Sequence, residues 1–538
     1  MARNLFRTVL LLIVWFATAA AMAQTFELSP SQSNPPPQQK NKKQAPPVKG
    51  KPASQAQPVT PSNGIGWGSG IEVARQARSA QQALEKGNYN DAAFFAQRAA
   101  NSAPQDTALW FTLGYAARLS GQYSLSESAY KRGLTNQPSS IAGLSGLAQT
   151  YAKMGRTQEA QDLLKQVIAA NPQSVTDLQL AGELALNSDA KTALSLLRRA
   201  ENIDPSSRNE LLIARAYQRL DLPADAKIYL DRAVARSPGD ISVLRALGAF
   251  YREDRKYDLA IAALEKAAAG NDTQARAELA YTYQLAGRKA DAAKNYAVAA
   301  DKATGDTGLQ LSAAQALVNI GDLGRADVYL KRAANHDANH YRLHSIRGQI
   351  AALKNQPEEA IKEYQAALQN LPPAVPEGPL YPVQLHLSLY ELYRTTDQAP
   401  AAAGELTTAK NEIAALQAQE QSNQPEYLRL RGLVEAASDD TAAAERDFQQ
   451  ALKLDPKSVT IMLNYANLLL KVNRKPEAYK LYQQAIEIDP NNNAGLTALG
   501  YLARELADAK TAESYFLRVL ALYPNDYVPY LALGDLYT

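Results

Sequence analysis

The 538-residue chain contains no cysteine, and only four histidines, four methionines and three tryptophans. Without cysteine it can form no disulfide, cannot be anchored as a lipoprotein through an N-terminal cysteine, and has no thiol nucleophile. So few histidines leave few candidates for acid–base catalysis by imidazole. Phosphate-cradling loops of the G-x-x-x-x-G-K-S/T type, H-E-x-x-H and the G-x-S-x-G elbow are all missing. No apolar run after the N-terminal leader reaches the length of about 20 residues that a membrane-spanning helix needs. The net charge of +3 is slight and unevenly placed: +2 lies in residues 1–23 and +4 in residues 24–70, leaving −3 for everything that follows. A basic surface for nucleic acid is therefore not expected. No enzyme activity, cofactor or metal site is read from these residues.

What the chain does have is a period. Proline recurs at 104, 138, 172, 205 and 238, and again at 456, 490 and 524, in steps of 33 or 34. Such spacing marks an array of stacked copies of one small unit. With proline at position 32 of a 34-residue unit, position 20 is alanine in nearly every unit, as in Ala92, Ala160, Ala193, Ala260, Ala360 and Ala512. Four residues on stands a large side chain such as Tyr130, Leu164, Leu197, Tyr364, Phe448 or Phe516, and position 8 is often glycine, as in Gly114, Gly182, Gly248, Gly348, Gly432 and Gly500. Small residues let two helices approach closely, and the large one fills the gap beside them. Proline disfavours helix for the residue before it and turns the chain into the next unit. Units start near 73, 107, 141, 175, 208, 241, 273, 307 and 341, then near 425, 459 and 493.

This pattern resembles the tetratricopeptide repeat, W-x2-L-G-x2-Y followed by A-x3-F and P. Trp110, Leu113, Gly114, Tyr130 and Pro138 carry it, and Leu247, Gly248 and Tyr251 repeat its L-G-x2-Y portion. The resemblance implies an all-α, right-handed superhelical solenoid of about a dozen helical hairpins: about nine repeats over 71–374 and three and a half over 425–538. Between them, 375–424 opens with Pro372, Pro373, Pro376, Pro379 and Pro382, and reads as an irregular repeat with a proline-rich insertion and a long second helix. Val383, Leu385, Leu387 and Leu389 also alternate as a strand would. The unit starting near 527 stops at Thr538 with one helix. Its uncapped face implies docking onto a partner or another copy, or a natural chain that continues.

At the other end, Arg3 and Arg7, an apolar run over 9–20 and the A-x-A at 21–23 predict a signal peptide cut after Ala23. Retention as an anchor is the alternative. Residues 24–70, rich in proline, glutamine and lysine, predict a disordered tether that cannot bury a core. The protein is expected to be exported, to the periplasm or beyond the cell.

In this family the first helix of each repeat lines the concave face through positions 2, 5, 9 and 12. On this chain those positions give Phe111, Tyr115, Arg118, Arg245, Arg252, Tyr281, Arg429, Tyr501 and Arg504 as candidates for binding protein or peptide partners. Tyrosine and arginine are the types that most often carry interface energy. The family's clamp for chaperone tails, lysine at position 5 with asparagine at 9, is absent: no position 5 is lysine and Asn467 is the one asparagine at position 9. His336, His340 and His344 are spaced four apart but straddle a predicted turn, so they read as turn and packing residues. The implied role is a non-enzymatic exported scaffold in an envelope assembly or export complex. The alternatives are a component of polysaccharide export, a glycan binder stacking sugars on Tyr115, Tyr281 and Tyr501, or a piece of a larger enzyme or pore.

Overall fold

The computed structural model describes residues 69–417, 424–506, 508–522 and 527–537. The predicted signal peptide and nearly all of the predicted tether lie outside the described residues. Among the described residues there are 27 α-helices and no strand, so the fold is an all-α helical repeat solenoid. Helices pair as antiparallel hairpins, from Ser69–Glu85 with Tyr89–Ser102 and Thr107–Leu119 with Tyr123–Asn136 through to Asn493–Glu505 with Ala509–Leu522. The helices fall into two compact units that divide within Ile241–Glu253, one up to Leu247 and one from Gly248 onward.

Local chemistry sets where each helix starts and stops. Second helices end two residues before the proline, as at Ser102, Asn136, Ala170 and Ile488, and the intervening residue leaves helical geometry, with Gln137 at φ −140° and ψ 81°. Two residues after the proline a capping side chain opens the next helix. Asp106 accepts from the Ala108 and Leu109 amides, Ser140 from Gly143, Ser174 from Asp177 and Asn492 from Gly495. The indole of Trp110 donates to the Pro104 carbonyl at 2.9 Å, tying that turn to the first helix after it. Within most of the described hairpins, position 15 adopts a left-handed backbone. Gly121, Gly155 and Gly287 hold it at φ 75–77°, with Asp221, Asn355, Asp439 and Asn473 doing the same elsewhere.

The core is built from the periodic small and large residues. The position-20 alanines are buried, as are Leu164, Leu197, Tyr364, Phe448, Tyr482 and Phe516 at position 24. A Cβ placed on the position-8 glycines would meet the position-24 side chain of the same repeat: Gly114 against Tyr130 at 2.8 Å, Gly348 against Tyr364 at 2.8 Å and Gly500 against Phe516 at 2.6 Å. Tyr130 is enclosed further, because its ring also lies 2.3 Å from where a Cβ on Gly146 of the next repeat would stand.

The apolar alternation at 383–389 belongs to the helix Tyr381–Thr395. That helix is buried on both sides. Val383 and Leu387 join one core cluster with Ala409, Ile413 and Tyr427, whereas Leu385 and Leu389 join another with Ala360 and Tyr364. Burial on two faces produces a pattern that a one-sided helix would not. The following helix, Ala399–Gln417, has 19 residues where other second helices have 13 or 14.

Within the unit from Gly248 onward, repeats five apart also touch. Arg255 Nη1 reaches Asp455 at 2.6 Å and Lys289 Nζ reaches Asp489 at 3.0 Å, each pair 200 residues apart in sequence. Arg255 occupies the left-handed position 15 with φ 53°, where other repeats place glycine, aspartate or asparagine.

Two expectations follow from this packing. Gly146→Ala should cost roughly 1–3 kcal/mol, read as a lowered urea midpoint, because Tyr130 cannot retreat without striking Gly114; adding Tyr130→Leu should recover part of the loss. Arg255→Glu with Lys289→Glu should lower energy transfer between dyes on cysteines introduced at Asp258 and Lys457, which are the only thiols in a cysteine-free chain. Further exchange to Asp455→Arg with Asp489→Lys should restore it, and no change in transfer would mean the two contacts do not hold these repeats together.

Candidate functional site

The first helices of the repeats carry two kinds of side chain. Positions facing the second helix are consumed by packing, and those on the other side are open to solvent or linked by polar contacts to the next repeat. In the unit up to Leu247, Tyr115 is 44% exposed, and the Arg118 guanidinium lies 5.4 Å from its ring centre. Arg118 also bonds the Tyr130 phenol and keeps a buried Nε without a hydrogen-bond partner. Phe111 is turned into packing, with its ring 6.0 Å from that of Tyr130 and against the backbone at Gly133 and Gly143. Arg245 is buried.

In the second unit, Arg252 lies 5.4 Å from the ring of Tyr281, whose phenol is raised above its ordinary pKa chiefly by burial. Tyr501 is buried edge-on to Phe516, with rings 5.2 Å apart, and Arg504 stands 5.1 Å above it while reaching Asp535 at 3.5 Å. Arg429 is only 2% exposed. Glu426 holds it at 2.6 and 2.8 Å and Asn464 of the next repeat at 3.0 Å, while Gln384 of the preceding repeat donates to the same Glu426 at 3.0 Å. Its guanidinium is thus a link across three repeats, and a buried charge so paired is not offered to a ligand.

The nine residues therefore separate. Tyr115 with Arg118, Arg252 with Tyr281, and Tyr501 with Arg504 come together as aromatic–guanidinium pairs, and Phe111, Arg245 and Arg429 serve the interior. Other side chains at these positions, outside the nine candidates, also belong to these faces. Ser145 donates to Asp177 at 2.6 Å, Gln179 to Asn209 at 2.8 Å and Gln315 to Gln349 at 2.7 Å, forming polar rungs between neighbouring repeats. Lys153 is held below its ordinary pKa, first by desolvation and then by Arg118 and Arg208. Position 13, where Lys153 lies, falls outside the family rule. The recurrence of polar residues across neighbouring first helices was the available signal. The histidines hold structural places: His340 caps the helix Tyr341–Leu353 through Nδ1, and His344 bonds Glu363 at 2.7 Å.

On the opposite side, Arg431 binds Asp447 through both ends of its guanidinium, and Glu435 shares the site with Arg431 at 3.8 Å. Burial first, and then the Asp447 charge, pushes the Glu435 carboxyl up to about 7.

Two profiles described as tetratricopeptide repeat match this chain, one over residues 117–181 and 435–500 and the other over 78–141 and 311–375. The chain belongs to the tetratricopeptide repeat family. That makes it a protein-interaction scaffold by class, built on a fold that is typically non-catalytic. It is 26% identical over 292 residues to cellulose synthase operon protein C of Xanthomonas axonopodis pv. citri, a match covering 51% of this chain and 18% of that protein. The crystal structure of the APC/C hetero-tetramer Cut9–Hcn1 aligns over 87% of this chain and 96% of that one, at 15% identity and a TM-score of 0.39. Among the described residues no helix is long and apolar enough to cross a membrane.

The Glu435 environment sets a pH dependence. Its unfolded carboxyl releases a proton near 4.5 and the folded one near 7, so the folded state holds the extra proton in between and stability falls as pH rises through that window. Glu435→Gln, which has no proton to release there, should lose less thermal stability than wild type between about pH 5 and about pH 8. Equal losses would show that Glu435 titrates alike in both states.

Proposed function

We propose that this chain is a non-enzymatic, exported scaffold that holds protein partners or their extended segments along the first-helix faces of its repeats, within an envelope assembly or export complex. The observation that carries this reading is the division of labour in each repeat. Positions 8, 20 and 24 are spent on packing, while tyrosine, arginine, lysine and glutamine on the other face keep solvent access or polar reach. Such a face is already ordered before a partner arrives, so association costs less conformational entropy than on a mobile surface. The leader pattern at 1–23 and the proline-rich 24–70 support export on a tether, with the repeats beyond it forming the binding arrays. Likeness to a cellulose synthase operon protein supports a place in the envelope, and by that route a link to polysaccharide export. A glycan-stacking role draws less support, because Tyr281 and Tyr501 are committed to packing and Tyr115 is the one of the three with an exposed ring.

Photo-crosslinking in cells tests the reading. A photoreactive residue at Tyr115, Arg252 or Arg504 of the full chain should capture discrete protein partners in the exported fraction, and one at Lys165 or Lys331 on second helices should not. Equal capture from both sets, or recovery of the chain in the cytoplasmic fraction alone, would defeat it.

A further inference from the structure

The unit from Gly248 onward has a cavity of about 280 Å³ between two neighbouring second helices, Tyr257–Ala269 and Lys289–Lys302. The first helix between them, Thr273–Leu285, supplies the floor through the buried Leu279 and Tyr283, and Ala268 completes its apolar part. On that helix the lining residues Arg276, Leu279 and Tyr283 stand at positions 4, 7 and 11, apart from the positions 2, 5, 9 and 12 of the partner face proposed above. Four charged side chains also line the cavity, and they are unevenly paired. Arg288 answers Asp291 at 2.7 Å and covers the Tyr283 ring at 4.4 Å from its centre. Among the described residues Glu265 accepts one hydrogen bond, from the Tyr283 hydroxyl at 2.6 Å. Burial first, and then that bond, push the Tyr283 phenol up to about 12, so the proton stays on the tyrosine and the Glu265 charge is not neutralised. Arg276 has neutral partners alone. Its Nη2 donates to the Ala268 carbonyl at 3.0 Å and its Nη1 to the Asn295 side-chain oxygen at 3.3 Å, while its Nε is buried without a hydrogen-bond partner. Neither Arg276 nor the exposed Lys294 forms an ion pair among the described residues. Two cations and one carboxylate thus face the cavity without a partner of opposite charge, around an apolar floor.

We propose that this cavity binds a small amino dicarboxylate of about the size of glutamate. Its two carboxylates pair with Arg276 and Lys294, its ammonium pairs with Glu265, and its methylenes lie on Ala268 and Leu279. Such a ligand carries the opposite of each open charge, and a few convergent polar groups around an apolar floor are what a small-molecule site requires. A glutamate side chain of a partner protein is disfavoured, because it brings one carboxylate and no ammonium and leaves Glu265 unmatched. The assignment is independent of the scaffold reading, which concerns other positions of the first helices.

Isothermal titration of the full chain decides the matter, with L-glutamate, glutarate, which lacks the ammonium, and 4-aminobutyrate, which lacks one carboxylate. L-glutamate should bind with a Kd between about 10 μM and about 1 mM, the span open to a ligand of about ten non-hydrogen atoms. Glutarate and 4-aminobutyrate should each bind about tenfold more weakly or worse. Glu265→Gln should weaken L-glutamate by about tenfold and leave glutarate no weaker, whereas a merely structural role for Glu265 would move both ligands alike. Lys294→Glu should weaken L-glutamate and glutarate together by about tenfold while keeping the thermal midpoint, because Lys294 is exposed. No saturable binding of L-glutamate up to about 10 mM overturns the proposal. So does equal affinity for L-glutamate and glutarate, or unchanged L-glutamate binding in Lys294→Glu. Acetate binding as tightly as L-glutamate overturns it as well, since that marks a simple anion site. Photo-crosslinks from Tyr115, Arg252 or Arg504 to proteins are unaffected by any of these results, so the two readings fall separately.

Discussion

The contact on which everything else depends is a large side chain at position 24 lying directly on a glycine or other small residue at position 8 of the same hairpin. It sets how closely the two helices of a repeat approach, and through Tyr130 against Gly146 it reaches the neighbouring repeat as well. Because each such contact joins only near neighbours, stability accumulates along the array instead of residing in one central core. That is how a chain without a single disulfide can hold more than two dozen described helices in register.

The same arrangement frees one side of every first helix. Once positions 8, 20 and 24 have satisfied the hairpin, residues at 2, 5, 9 and 12 are not all needed to pair its two helices, and the chain can use them for links between repeats or for charged and aromatic surface. It does so unevenly. In some repeats the freed positions become links between neighbours, as in the Gln384–Glu426–Arg429–Asn464 network. In others they stay open, as at Tyr115 and Arg118. The first kind fixes the orientation of successive repeats and the second leaves a surface that a partner can use.

Arg255 illustrates a trade between local and distant energetics. Its left-handed backbone is a conformation that glycine or asparagine adopts at less cost, yet the side chain placed there reaches an aspartate 200 residues away. Lys289 repeats the relation one unit later with Asp489. Two like pairs in the same register, each joining repeats five apart, give the second unit contacts that a purely nearest-neighbour array lacks.

Much of this was legible in the sequence, and the limit has a physical cause. Proline spacing, the alanine and aromatic periodicity and the capping residues after each proline act over a few residues or one repeat, so the order of hairpins and the identity of the core could be read directly. Exposure at the inner positions could not. Tyr115 and Tyr501 occupy the same place in their repeats, and Arg429 and Phe111 share another, but what the next repeat sets against each decides whether it is open, packed or ion-paired. The strand-like alternation at 383–389 misleads for a related reason: a helix covered on two sides loses its one-sided period. The approach of Arg255 to Asp455, and of Lys289 to Asp489, depends on how small rotations between repeats add up. No local pattern encodes that sum, and only the folded chain determines it.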